Sequence, residues 1–323
     1  MLTYKDIEES YKRISKYIYK TPLEKSFYLS HDTTNFYLKL ESLQRVKSFK
    51  IRGAFSKMTL LTKEEKSRGI VAISSGNHGV AVSYAATQLG VEKVIIIAPK
   101  TTPSSKVERI KFYGGQVILE GQNYDEAHHF GERYIKENQM TEIDAYYKDE
   151  DVYAGQGTAG LEILNERPEI DTIMVPIGGG GLITGIAVAA KAINPNLKII
   201  GIQPAACPAM LKAMEDQVFY KDYPTEPSTC DALVGGVGEL SYKMSESCID
   251  EVVLVSEAYI LKGLSHVILH EKFIVEPSSA ICVGAVLQHK NKYWGKNVAM
   301  VMSGGNLDET LAVQSIKQQS IRK

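Results

Sequence analysis

The stretch Ser48-Phe49-Lys50-Ile51-Arg52-Gly53-Ala54 places a lysine where an extended segment turns into a helix. Behind it Ile51, Ala54, Phe55, Met58 and Leu61 recur at the spacing that buries one helical face, which predicts a helix over residues 51–61. Lys50 then lies beside the unpaired N–H groups and partial positive charge of a helix start. A lysine in such a field sheds its proton more readily, and a neutral amine attacks aldehydes. A lysine at a helix start is also ordinary surface chemistry. Its meaning depends on what the rest of the chain brings to it.

Upstream, a helical pattern over residues 4–19 is broken at Thr21-Pro22-Leu23, and the alternation Phe36, Leu38, Leu40 marks a strand over residues 35–41. Downstream, short apolar strands over residues 69–74, 94–98 and 116–119 alternate with helical patterns over 77–89, 104–113 and 124–139. A second series begins with a helix over 152–165, a strand over 172–177, a helix over 182–193, a strand over 198–203 and a helix near 208–215. After a loop-rich passage over 220–238 come a strand over 251–256, helices over 257–271 and 277–288, a strand over 297–302 and a closing helix over 307–318. Strands alternating with helices predict parallel sheets covered on both faces, here as two α/β lobes with a cleft between them.

Three polar stretches fall where predicted strands end. Ser74-Ser75-Gly76-Asn77-His78-Gly79 joins a strand to a helix, where helix-start N–H groups face an anion and small residues let a carboxylate approach the backbone. Ser and Asn also cap helices in that position. Gly178-Gly179-Gly180-Gly181 sets successive N–H groups around a concavity suited to a phosphate dianion. Its spacing is not GxGxxG, and no Walker GKS or GKT is present. Ser303-Gly304-Gly305-Asn306 follows another apolar strand, as a ligand-bonding hydroxyl or as a polar turn with an N-cap at Asn306.

Composition narrows the field. With 323 residues, 44% hydrophobic and 23% charged, the chain can bury a sizeable core without disulfides. A formal charge of -1 leaves no electrostatic footprint for nucleic acid or an anionic membrane. Cys207, Cys230, Cys248 and Cys282 show no close pair and no metal-ligand spacing, so they are expected as small buried residues in a reducing, cytoplasmic setting. His128 and His129, adjacent on a helix, are expected at the surface, and the first twenty residues hold no apolar run of a signal peptide or membrane span.

Taken together, SFKIRGA, SSGNHG, GGGG and SGGN, in this order, with Ala154-Gly155-Gln156-Gly157-Thr158 and Val275-Glu276-Pro277-Ser278, resemble the threonine dehydratase and serine racemase family of fold type II pyridoxal-phosphate enzymes. The resemblance implies a tryptophan synthase β-like α/β fold. Residues 1–50 and 146–323 would form a large cofactor-binding domain, and residues 51–145 a small mobile domain that closes over the substrate. It implies pyridoxal 5'-phosphate bonded to Lys50, which also moves the substrate Cα proton. Phe49 would lie against the pyridine ring, and Asn77 would bond its 3'-hydroxyl. Gly178, Gly179, Gly180 and Gly181 would hold the phosphate, and Ser303 would meet the ring nitrogen. Ser74, Ser75, Gly76, Asn77 and His78 would surround the substrate carboxylate. An amino acid is the implied partner, and two copies of the chain are expected to pair.

Two positions depart from the family's pattern. Where several relatives bind a divalent cation, this chain reads Gln203, Cys207 and Ala209, neutral groups weak for a hard cation, so no metal is expected. Thr229-Cys230-Asp231-Ala232 carries alanine where most relatives carry glycine, and resembles the branch of hydroxyectoine-utilisation dehydratases. The chain ends at Lys323, shortly after the closing helix, so no regulatory ACT-like domain is expected. The implied activity is β-elimination from L-threonine or L-serine to a 2-oxo acid and ammonia. Racemisation, with Ser75 as the acid on the opposite face, is the alternative on the same scaffold. A non-catalytic phosphate- or nucleotide-binding module, resting on Gly178 to Gly181 alone, is the alternative from another class.

Overall fold

Two sheets organise the computed structural model, which describes residues 1–320. The first half of the chain forms α1 Tyr4–Ile14, β1 Leu23–His31, β2 Thr34–Lys39, α2 Lys50–Met58, α3 Lys63–Ser67, β3 Ile70–Ile73, α4 Asn77–Gln88, β4 Val94–Ala98, α5 Ser104–Phe112, β5 Gln116–Leu119, α6 Tyr124–Asn138 and β6 Thr141–Glu142. The second half forms α7 Glu150–Glu166, β7 Thr172–Pro176, α8 Gly181–Ile193, β8 Lys198–Pro204, α9 Ala209–Asp216, α10 Glu239–Cys248, β9 Glu251–Val255, α11 Glu257–His266, α12 Pro277–Gln288, β10 Asn297–Val301 and α13 Glu309–Ser320. The smaller sheet runs β5-β4-β3-β6 and is parallel throughout. The larger runs β1-β2-β10-β7-β8-β9, parallel except for the β1–β2 hairpin at its edge. In β3 and β4 every residue is buried, so these strands read as unbroken apolar strings rather than as alternation.

The expected elements are present with ends shifted by a few residues; besides the short α3 and β6, which the pattern does not mark, three features differ. Residues 23–31 form β1, whose buried positions Leu23, Ser26 and Leu29 fall every third residue because a register shift interrupts its pairing with β2. No period of two marks it. Residues 239–248 form α10, whose buried face mixes Leu240 and Met244 with Ser241, Ser245 and Cys248. Two of these five residues are serines, which hides the helix from a hydrophobicity pattern. The helix expected over 257–271 ends at His266 and continues as a π-helical turn, Val267–Glu271, closed by Lys272 at φ 63°.

α7 joins the two parts of the site. A Cβ at Gly185 of α8 would stand 2.5 Å from the Tyr153 carbonyl oxygen and 2.6 Å from the Gly157 nitrogen. One at Gly155 would stand 2.6 Å from the Gly53 Cα in α2. Glycines therefore let α7 touch α8 on one side and the lysine-bearing α2 on the other, backbone to backbone. Gly185→Ala is expected to cost about 1–3 kcal/mol by overpacking this crossing. Urea unfolding measures it, and an unchanged midpoint would refute the close approach.

Beneath α2 lies a cluster of four charges whose side chains are at most 1% exposed. Arg52 donates from Nε to Glu41 and from Nη2 to Glu162, each at 2.7 Å, and Lys39 donates to Glu162 at 2.7 Å. Thr21, Thr158 and the Thr21 carbonyl complete the hydrogen bonding. Two cations face two anions, so the group is neutral as a whole. Burial works against the charge on Arg52, but Glu41 and Glu162 outweigh it and hold the guanidinium ionised.

Candidate active site

The SFK and SGGN stretches are held together by backbone bonds. Lys47, at φ 63°, turns the chain, and its carbonyl accepts from the Gly305 N–H at 2.8 Å. Ser48 bridges Gly304, and the Phe49 N–H donates to the Ser303 carbonyl at 3.0 Å. Lys50 and Ser303 thus face one cavity of about 580 Å³, which the ends of β3, β7 and β10 also reach. These are carboxyl ends of parallel strands, where α/β folds bind ligands.

Lys50 is half-buried, and its Nζ donates to the Ala145 carbonyl at 3.1 Å. The amine lies 5.4 Å from the Phe49 ring centroid and 5.8 Å from that of Tyr146. Burial lowers its pKa to about 8, and Asp144 opposes the shift. The helix-start field inferred from sequence is thus not the principal cause. Desolvation of the ammonium is. The reaction of Lys50 with pyridoxal phosphate is expected to quicken with pH and level off above a midpoint of about 8, because only the neutral amine is nucleophilic. Stopped-flow absorbance of the apoprotein measures it; a midpoint near the ordinary 10.5 would contradict the burial.

The four glycines close a tight loop. Gly180, at φ 91°, precedes the first residue of α8, and a Cβ there would stand 2.5 Å from the Ser241 hydroxyl. At Gly178 a Cβ would stand 2.6 Å from the Ala232 carbonyl, and at Gly179 it would run into the Tyr146 ring. The first-turn N–H groups of α8 have no intrahelical acceptors and are free to bind an anion.

At the β3–α4 junction Gly76, not a serine or asparagine, holds the N-cap position, with no side-chain cap. Ser74, Ser75, Gly76 and Asn77 line the cavity half-buried. The Asn77 amide donates to Glu276 at 2.8 Å and accepts from Asn306 at 2.5 Å. Asn306 is therefore no helix cap; it bonds Asn77 and the Val46 carbonyl. Glu276 is buried at the start of α12, its pKa raised to about 7 by burial and by Asp231. His78 is buried and bonds the Ile143 carbonyl through Nε2 at 2.8 Å. Burial, then the Lys50 charge, lower its pKa to about 4, so the ring is neutral at physiological pH. Ser303 is buried, its hydroxyl 3.0 Å from that of Ser279. Across the cavity Lys106 of α5 pairs with Asp231 at 2.6 Å.

All twelve sequence-derived site residues, Phe49, Lys50, Ser74 through His78, Gly178 through Gly181 and Ser303, line this one cavity. Sequence reasoning passed over Ala145, Tyr146, Ser279 and Asn306; three of these contribute through contacts that no local pattern announces, and only Asn306 stood inside a recognised stretch. The four cysteines are buried, and His129 points outward beside Glu132.

The donor set fits pyridoxal phosphate. It has an amine whose pKa is lowered for the aldehyde, a glycine loop at a helix start for the phosphate, and amide and hydroxyl groups for the ring. The family model described as pyridoxal-phosphate dependent enzyme matches residues 14–304. The catabolic L-threonine dehydratase TdcB of Staphylococcus aureus strain N315 is 41% identical over 312 residues, which cover 94% of this chain and 89% of that protein. Maize serine racemase superposes with a TM-score of 0.90 at 33% identity, covering 99% of this chain and 98% of its own. The processed form of threonine deaminase isoform 2 from Solanum lycopersicum does so with a TM-score of 0.90 at 32% identity, covering 97% and 91%. A half-buried lysine facing a glycine loop across a parallel-strand edge, matched along nearly the whole chain, leaves one assignment: this chain belongs to the pyridoxal-phosphate dependent enzyme family.

Proposed function

We propose that the protein catalyses β-elimination from L-threonine or L-serine, releasing a 2-oxo acid and ammonia. The observation that carries this reading is the position of Lys50, an amine with pKa about 8 set in the same cavity as the glycine loop and the polar β3–α4 junction. The names of the relatives, threonine dehydratase and threonine deaminase, support the same substrates. When bound, pyridoxal phosphate supplies the electron sink for the pair left on Cα. Lys50 takes the Cα proton, and the β-hydroxyl leaves with a proton as water. The N–H groups at the start of α4, that of His78 among them, with Ser74, Ser75, Gly76 and Asn77, bind the substrate carboxylate. Gly178, Gly179, Gly180 and Gly181 hold the cofactor phosphate. Phe49 packs on the ring, Asn77 meets its hydroxyl, and Ser303 meets its nitrogen.

In this reading residues 51–145 close as a unit on residues 1–50 and 146–323, with the Lys106–Asp231 pair across the mouth. Two copies pair, and light scattering should give twice the 35.7 kDa of one chain. The setting is the cytoplasm; among the described residues no helix is long and apolar enough to cross a membrane. A second reading, racemisation, is favoured by Ser75, which lines the same cavity and can supply an acid on the far face. Proton NMR of the holoenzyme with L-threonine in heavy water separates the two. Growth of 2-oxobutyrate signals is expected. Loss of the Cα proton signal without elimination would favour racemisation, and an unchanged spectrum would refute both for threonine.

A further inference from the structure

Gln156 is the one residue of the cavity wall whose whole polar end is buried and unpartnered among the described residues. It is 1% exposed, and neither its Oε1 nor its Nε2 has a hydrogen-bond partner. A buried amide left so costs several kcal/mol unless a ligand completes it. Its position on α7 is tightly set: the amide fills the space that a Cβ at Gly53 would need. Gly53 stands one helical turn beyond Lys50, on the same face of α2. The amide therefore reaches the cavity beside the reacting amine.

A second orphan atom belongs to another residue of the same cavity wall. The Ile143 carbonyl can only accept, so His78 Nε2 carries the ring proton, and Nδ1, buried and without a partner, is a bare lone pair. His78 is near enough to Lys50 to feel its charge. The cavity thus offers an N–H donor from Gln156 and an acceptor from His78. A hydroxyl satisfies both, accepting from one and donating to the other. A carboxylate has no proton for His78, and an apolar side chain or a halide satisfies at most one partner.

We propose that Gln156, with His78, forms the subsite for the hydroxyl on the substrate β-carbon and is the residue that selects hydroxylated amino acids. This rests on the β-elimination reading and goes beyond it by assigning the leaving group's partners. Both substrates in the test give the same products: L-serine is converted to pyruvate and ammonia, with the water lost in elimination regained in hydrolysis. β-Chloro-L-alanine consumes one water and gives pyruvate, ammonia and chloride, the C–Cl bond breaking with its electron pair.

The experiment compares kcat/KM of the holoenzyme for L-serine and for β-chloro-L-alanine, in wild type and in Gln156→Met. Methionine fills the same space without a strong hydrogen-bonding group. The ratio of the two kcat/KM values is expected to fall by about 10- to 100-fold in the variant, the usual cost of an unpaired polar contact. Gln156→Asn, which keeps an amide one methylene short, should move the ratio in the same direction. An unchanged ratio, whether both rates fall together or neither falls, would overturn the proposal. Loss of the visible cofactor band in both variants would also overturn it, in favour of a purely structural role. If wild type turns over neither substrate, the β-elimination reading fails first; if it turns over both and the ratio holds, only the subsite fails.

Discussion

Lys50→Ala is expected to abolish the visible absorption of the cofactor-loaded protein and to lower kcat/KM by at least about 10³-fold. In the proposed mechanism one side chain carries both the bond to the cofactor and the Cα proton, so both readouts should fall together. The variant should nonetheless fold. Alanine is the best helix former, Lys50 opens α2, and the bond lost is a single one to the Ala145 carbonyl. Removing a desolvated amine should leave the apoprotein as stable as wild type or more so at neutral pH. The sign with pH follows from the lowered pKa. Between about 8 and 10.5 the folded chain binds fewer protons at Lys50 than the unfolded chain, so wild type gains stability relative to the variant as pH rises through that window. Urea unfolding of both apoproteins at pH 7 and pH 10 measures it. A variant that keeps band and activity would remove Lys50 from the centre of the site.

Arg52→Met is expected to cost about 3–5 kcal/mol of stability, the largest effect of any single change outside the catalytic residues. Arg52 holds Glu41 and Glu162 in a region that water does not reach, and its loss leaves two carboxylates with Lys39 alone. The deficit should shrink in acid. In wild type burial tends to raise the Glu41 pKa, but Arg52 overcomes that and holds it below the ordinary 4.5. Glu41 therefore contributes stability above that value, which is lost as pH falls through its lowered pKa. In the variant the opposing cation is gone, burial dominates, and Glu41 protonates at higher pH, which relieves the uncompensated charge. Urea unfolding at pH 7 and pH 5 should show a smaller gap at pH 5. A constant gap would mean that packing, not charge, explains the loss. Because the cluster underlies α2, the same variant should also bind pyridoxal phosphate more weakly.

Local physics made much of this legible from the chain. β3 and β4 are apolar throughout, so their strings stand out, and each predicted strand end that carried glycine, serine and asparagine proved to line the cavity. The two-sheet α/β arrangement follows from that alternation. What stayed hidden depends on distant partners. β1 is held by its pairing with β2 and buries only every third residue, so it has no periodicity of its own. α10 presents serines to the core, where Ser241 meets the Tyr153 hydroxyl at 2.8 Å, a bond that compensates for the polarity. Tyr146 packs on Gly179 and Ala145 accepts from Lys50 across long sequence separations. The cause of the Lys50 shift was misread for the same reason. Position at a helix start is visible in sequence, whereas desolvation of the amine is a property of the assembled cavity.

Borohydride reduction of the holoprotein, followed by proteolysis and mass spectrometry, tests the proposed bond between Lys50 and the cofactor most directly. The pyridoxyl mass is expected on the peptide containing Lys50 and on no other. Its appearance on another lysine, or on none, would contradict the assignment of this site.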